Sequence, residues 1–175
     1  MSEFRIHPVF RERQIKTGFF LDKFLPEKMP DDAAALICFT NYDLYPNENF
    51  NFVFGQASLK KRVGVWSLKH LRENGDSKLS LRRVLKTGVH ETGHMFSIEH
   101  CTKYKCVMNG TNGTYETDSH PADFCPVDTA KVLWATRENP GERFKKLSEV
   151  FRKHGLKEEA DLFLKKAEAV RNLED

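Results

Sequence analysis

The chain has 175 residues, with 28 Lys plus Arg against 25 Asp plus Glu. A net charge of +3, with acidic and basic residues alternating along most of the chain, excludes the concentrated basic face that nucleic acid requires. No apolar run approaches a membrane span, and MSEFRIHPVF at the N-terminus lacks a signal-peptide core, so a cytoplasmic location with no membrane partner is expected.

The length suits a single domain over residues 1–175, able to bury a core without disulfides. Three of the four Cys fall between 101 and 125, which is not the spacing of a secreted disulfide framework. The basic cluster LKKR (59–62) reads as a solvated turn, and the sequon-bearing NGTNGT (109–114) as a tight loop.

In chain order, IKTGFFLDKFL (15–25) spaces Phe19, Phe20 and Phe24 as a helix that Pro26 ends. AAALICFTNYDLY (33–45) predicts a buried strand, with Cys38 as a small buried hydrophobe. FNFVFGQAS (50–58) and RVGVWSLKHL (62–71) predict a hairpin in which Gly55 marks a bulge or close backbone approach. Residues 79–100 carry the longest helical pattern, with Leu81, Val84, Leu85, Val89 and Met95 in step. Residues 101–125, polar and rich in Gly and Asn, are expected to be irregular. A helix is predicted over 127–139, then a helical hairpin over about 141–175 that breaks at Gly155. Trp66 and Trp134 are read as core.

The chemistry concentrates in VHETGHMFSIEHCTKYKCVMNG (89–110). His90 and His94 are four apart, which on a helix separates them by about 40° and one turn, so two imidazoles can hold one zinc from the same face. Glu91 beside them can reach a water at that metal as general base without being a ligand. HExxH alone is a short pattern, and helix-surface histidines can produce it. A third ligand must come from elsewhere: His100, provided the helix stops near Ser97 and the chain turns back, or Glu116, whose surroundings make a poor helix.

HETGHMFSIEH (90–100) is followed directly by Cys101, then TKYK, Cys106, Val107, Met108 and a later CPVD (125–128). This resembles the archaemetzincins, zinc peptidases within the metzincins, whose pattern is HExxHxxGxxH, Cys, four residues, Cys, one residue, Met and a later CxxC. DLYPNENFNFVFGQAS and RVGVWSL resemble that family's strands, and the resemblance covers about residues 15–165. It implies a catalytic zinc on His90, His94 and His100, with Glu91 as general base and Met108 as an apolar floor. It also implies a second, structural zinc on Cys101, Cys106 and Cys125, pinning a segment with few apolar residues of its own.

Two positions depart from the pattern. The family's turn glycine is Ser97 here, and a side chain in a left-handed conformation costs on the order of 1 kcal/mol. The fourth Cys is Asp128, which can ligate zinc or can instead N-cap the following helix; Asp118, His120, Asp123 or water are the other candidates for the fourth ligand.

The expected architecture is α/β, zincin-like (metzincin-like): a small twisted mixed sheet, an active-site helix and a helical C-terminal part. The expected function is zinc-dependent hydrolysis of peptide bonds in small peptides or chain ends, the substrate pairing with NFVFGQAS as a sheet edge through Phe52, Val53 and Phe54. The competing readings are a non-catalytic zinc-held peptide-binding module and a zinc knot that recognises a partner through residues 101–128. Glu91 argues for catalysis, because a purely structural site has no use for a carboxylate beside an open metal position.

Overall fold

The computed structural model describes residues 3–111 and 113–174; residue 112, inside the expected 109–114 loop, lies outside the described residues. Two three-stranded mixed sheets form the N-terminal part. The first joins β1 (Phe4–Ile6), β2 (Arg13–Lys16) and β4 (Asp43–Tyr45) in that order, with β1/β2 antiparallel and β2/β4 parallel. The second runs β3 (Leu36–Thr40), β6 (Val63–Ser67), β5 (Gly55–Ser58), with β3/β6 parallel and β5/β6 antiparallel. The single strand expected over 33–45 is therefore two strands in different sheets, separated at Asn41–Tyr42.

The expected 15–25 helix is also corrected. Ile15 lies in β2 opposite Leu44, and only Phe19–Phe24 is helical, with the wide π pitch. Leu25 N–H bonds to Phe20 O five residues back, and that pitch stacks Phe19 on Phe24 at 5.9 Å. Phe20, Leu21 and Leu25 close a core with Ile15, Leu44, Val63 and Val65, and Cys38 packs half-buried against it. Each large apolar side chain fully buried this way contributes about 1.5–3 kcal/mol.

The β6 residues alternate, as a strand demands. Val63 and Val65 enter that core, while Gly64 and Trp66 face α1 (Ser77–Met95), where Met95 approaches Gly64 and Phe39 lies against Gly88. Asp76 caps the start of α1 by accepting from Leu79 N–H at 2.8 Å.

Beyond α1, the segment expected to be irregular contains a short helix, α2 (Thr114–Ser119). Propensity does not predict it; α1 pins its end, since Arg83 forks Asp118 at 2.8 and 2.6 Å and Lys86 donates to the carbonyls of Thr117 and Asp118. α3 (Pro126–Thr136) follows, then α4 (Pro140–Lys153) and α5 (Lys157–Glu174), which meet at left-handed Gly155. Phe144, Phe151, Leu156 and Phe163 join α4 to α5, and Leu81 and Leu85 seat the pair on α1.

Trp134 is not core. It is 85% exposed, because α3 buries Asp128 and Val132, one turn apart, and Trp134 projects from the opposite side. Among the described residues no helix is long and apolar enough to cross a membrane.

Candidate metal centre

α1 puts His90 and His94 on one face, and the chain must then reverse to deliver His100. It does so through a Schellman turn: Ile98 N–H reaches back to Gly93 O at 3.0 Å and Ser97 N–H to His94 O at 2.9 Å. Ser97 takes the left-handed position, φ 60°, where a glycine would carry no penalty. Ser97→Gly should therefore raise stability by about 0.5–1 kcal/mol, the relief of strain less the extra unfolded-chain entropy of glycine. For a chain of this size that is about 2 °C in thermal midpoint, read by calorimetry; an unchanged or lower midpoint would show that the serine is not strained.

The ring nitrogens of His90, His94 and His100 lie within 4.8 Å of one another. Glu116, the alternative third ligand, is exposed on α2 and outside this cluster. Nδ1 of His90 bonds to Val107 O and Nδ1 of His94 to Ile98 O, both at 2.7 Å. A carbonyl only accepts, so each ring carries its proton on Nδ1 and presents an Nε2 lone pair inward. The two Nε2 atoms face each other at 3.0 Å. Two lone pairs at that distance repel unless a cation lies between them, and burial disfavours the charged form of His90, holding it down to about 4. Three converging imidazoles, two of them with the far nitrogen fixed by a backbone carbonyl, could hold a zinc with an open position.

Met108 lies fully buried against α1, where a Cβ at Gly93 would come within 2.5 Å of its sulfur. This glycine inside HETGH lets the helix sit directly on the methionine.

Glu91 faces a cavity of about 240 Å³ together with His90, His100, Trp66 and Phe54. Burial pushes its carboxyl up to about 7, partly opposed by a hydrogen bond from the Trp66 side chain. Trp66 is 3% exposed, as expected of core, yet its indole also orients the candidate base. A Cβ at Gly55 or Gly64 would collide with that indole. The close approach that Gly55 permits is thus made by Trp66, not by an incoming peptide. The aromatic run ahead of it is also placed differently than expected: Val53 bridges to Leu44 of the first sheet, Phe52 stacks on His70 at 4.1 Å, and only Gly55–Ser58 forms the edge strand.

Cys101, Cys106, Cys125 and Asp128 form a second cluster, again with candidate donor atoms within 4.8 Å. The helix-capping alternative for Asp128 does not hold, because Cys125 is the N-cap of α3 and Asp128 sits in its first turn, 4% exposed, with Oδ2 3.2 Å from Cys125 Sγ. Of the other fourth-ligand candidates, Asp118 is engaged by Arg83, Asp123 by Lys166, and His120 lines the cavity. Asn109 shapes the loop between Cys101 and Cys106, accepting from Cys106 N–H and donating to Cys101 O and Tyr104 O. Burial pushes the Cys106 thiol up to about 11 and raises that of Cys125; at Cys101 backbone and thiol hydrogen bonds outweigh burial and lower it. Three adjacent thiols and a carboxylate with such opposed tendencies fit a closed cation site, where the metal's charge holds the thiolates ionised.

Sequence reasoning gave no role beyond the core to the indole of Trp66, whose bond to Glu91 depends on a contact between β6 and α1 that no local pattern shows.

Residues 27–133 match the model of peptidase family M54. Archaemetzincin-2 of Homo sapiens is 34% identical over 82% of this chain and 48% of its own, so the chain spans about half the length of that relative. The archaemetzincin of Thermococcus kodakarensis is 36% identical, covering 73% of this chain and 69% of its own. The crystal structure of the Methanopyrus kandleri archaemetzincin superposes with a TM-score of 0.60 at 31% identity, covering 76% of this chain and 71% of that one. The chain belongs to peptidase family M54, the archaemetzincins.

Proposed function

We propose that this chain hydrolyses peptide bonds in small peptides or chain ends at a zinc held by His90, His94 and His100. The observation that carries this is the convergence of three imidazoles on one point with Glu91 on the wall of the adjoining cavity. When bound, zinc supplies Lewis acidity toward the scissile carbonyl and acidifies water. Glu91 takes the proton of the attacking water and returns it to the leaving amine, while Trp66 fixes the orientation of the carboxylate. β5, on the open edge of its sheet with Phe54 at the cavity wall, offers backbone groups to which an extended peptide adds as a strand. Cys101, Cys106, Cys125 and Asp128 hold a second, structural zinc that keeps Val107 and Met108 against the triad.

The test is digestion of a diverse peptide mixture read by mass spectrometry. Cleavage products that vanish on chelation and return on adding zinc are the expected result. A zinc-loaded protein that leaves the mixture intact would remove the peptidase reading.

A further inference from the structure

One buried cation near the triad makes no ion pair among the described residues. Lys86 is 4% exposed, and its ammonium donates only to two carbonyls, Thr117 O at 3.0 Å and Asp118 O at 3.1 Å. An ammonium has three donors, so one remains. Among the described residues Lys86 enters no ion pair, whereas its neighbours do. Arg83 pairs with Asp118 and Glu73, and Arg82 with Glu159 and Glu158. The nearest acids, Asp118 and Glu159, attract Lys86 from a distance but are held in ion pairs by Arg83 and Arg82, and exposed Lys105 adds positive charge nearby. A buried charge without a partner is costly, and a carboxylate entering from solvent would relieve that cost.

Position says where such a carboxylate would come from. Lys86, His90 and His94 form one stripe at i, i+4, i+8, so Lys86 lies about 6 Å along the axis from the first histidine. Lys86 and His120 line the same cavity as His90, His100 and Glu91, with Leu71 and Val107 offering apolar contact for methylenes. His120 makes no side-chain hydrogen bond among the described residues, leaving its ring free for a ligand oxygen.

We propose that this cavity is a substrate pocket that takes a carboxylate, with Lys86 as its specificity-determining cation and His120 beside it. The carboxylate is the side chain of a Glu or Asp next to the scissile bond, or the free C-terminus of a short peptide. This rests on the peptidase reading and names its substrate class. The depth of one helical turn favours Glu over the shorter Asp.

The test uses the zinc-loaded full chain carrying Glu91→Gln, so that binding is read without turnover, with the unmodified protein assayed for cleavage in parallel. Peptide pairs differ by Glu against Gln flanking the central bond, or by a C-terminal acid against its amide, and the two arms separate the sources. The expected result is about tenfold tighter calorimetric binding of the carboxylate member in one arm, the scale of a single charge-assisted hydrogen bond. Adding Lys86→Met should erase that preference, bringing the two members of the pair to equal affinity, which loss of a merely structural lysine would not do. If Lys86→Met fails to fold, Lys86→Gln decides, since its amide can still donate toward the α2 carbonyls while the charge is gone: a lost preference supports the pocket and a retained one overturns it. Equal binding within both pairs also overturns it. Selective binding without cleavage keeps the pocket and removes the peptidase; cleavage without selectivity does the reverse.

Discussion

Glu91→Gln should slow peptide hydrolysis by about 10²–10⁴-fold, the usual contribution of a positioned general base, while zinc content stays unchanged. The amide fills the same volume and can still accept from Trp66, but it cannot take a proton, so the loss falls on turnover and not on metal binding. The substitution has a second readout. The metal-free carboxyl sits at about 7, above its ordinary 4.5, because burial disfavours the charged form. The sign follows: below the ordinary value the carboxyl is neutral in folded and unfolded chain alike, and as pH rises through 7 the fold must carry a buried charge and loses stability. Metal-free protein should therefore weaken as pH rises from about 4.5 to above 7, and Glu91→Gln should flatten that slope. A cation at the triad favours the carboxylate, so near neutral pH zinc uptake should expel more protons from the unmodified chain than from Glu91→Gln. Calorimetry in buffers of different ionisation enthalpy measures that difference. Full turnover by Glu91→Gln would show that another group is the base.

The histidine face, the chain reversal before His100 and the acid beside that face were legible because they are local. Residues four apart on a helix meet whatever else the fold does, and the reversal required at Ser97 follows from the distance between His94 and His100. The long α1 and the α4/α5 pair were legible for the same reason, since apolar side chains recur at the helical period over many turns. Tertiary contacts decided what was misread. Phe19, Phe20 and Phe24 look helical, but the pairing of Ile15 with Leu44 draws the start of that segment into a sheet and leaves one π turn. α2 has no propensity to form, and exists beside Arg83 and Lys86, which hold its end across more than thirty residues. Trp134 was read from residue type alone, which says nothing about which side of α3 it occupies. Trp66 was read correctly as buried, but burial did not reveal that its N–H would point at Glu91.

Cys106→Ala should remove the second metal and lower the thermal midpoint by about 10 °C, while chelation of the unmodified protein should give a similar fall. The size follows from linkage: a metal present at about a thousand times its dissociation constant stabilises by about 4 kcal/mol, and each kcal/mol is about 2–4 °C at this chain length. The cluster is expected to matter this much because the segment it pins supplies Val107 and Met108, whose carbonyls bond the Nδ1 of His90 and the N–H of Cys101 respectively. Loss of the second metal should therefore loosen the first, and zinc affinity at the triad should fall along with the midpoint. Asp128 permits a graded version. Its carboxylate is pulled two ways, toward Cys125 Sγ and toward Lys131 Nζ at 2.9 Å, so part of its charge is already shared outside the cluster. Asp128→Cys should tighten the site by giving a fourth thiolate, Asp128→Ala should weaken it, and the order Cys, Asp, Ala in metal retention against a chelator is the expected series. An Ala variant that holds metal as tightly as the unmodified chain would place the fourth ligand elsewhere. Asp118 and Asp123 would then be poor substitutes, since each would first have to give up its ion pair, with Arg83 and Lys166 respectively.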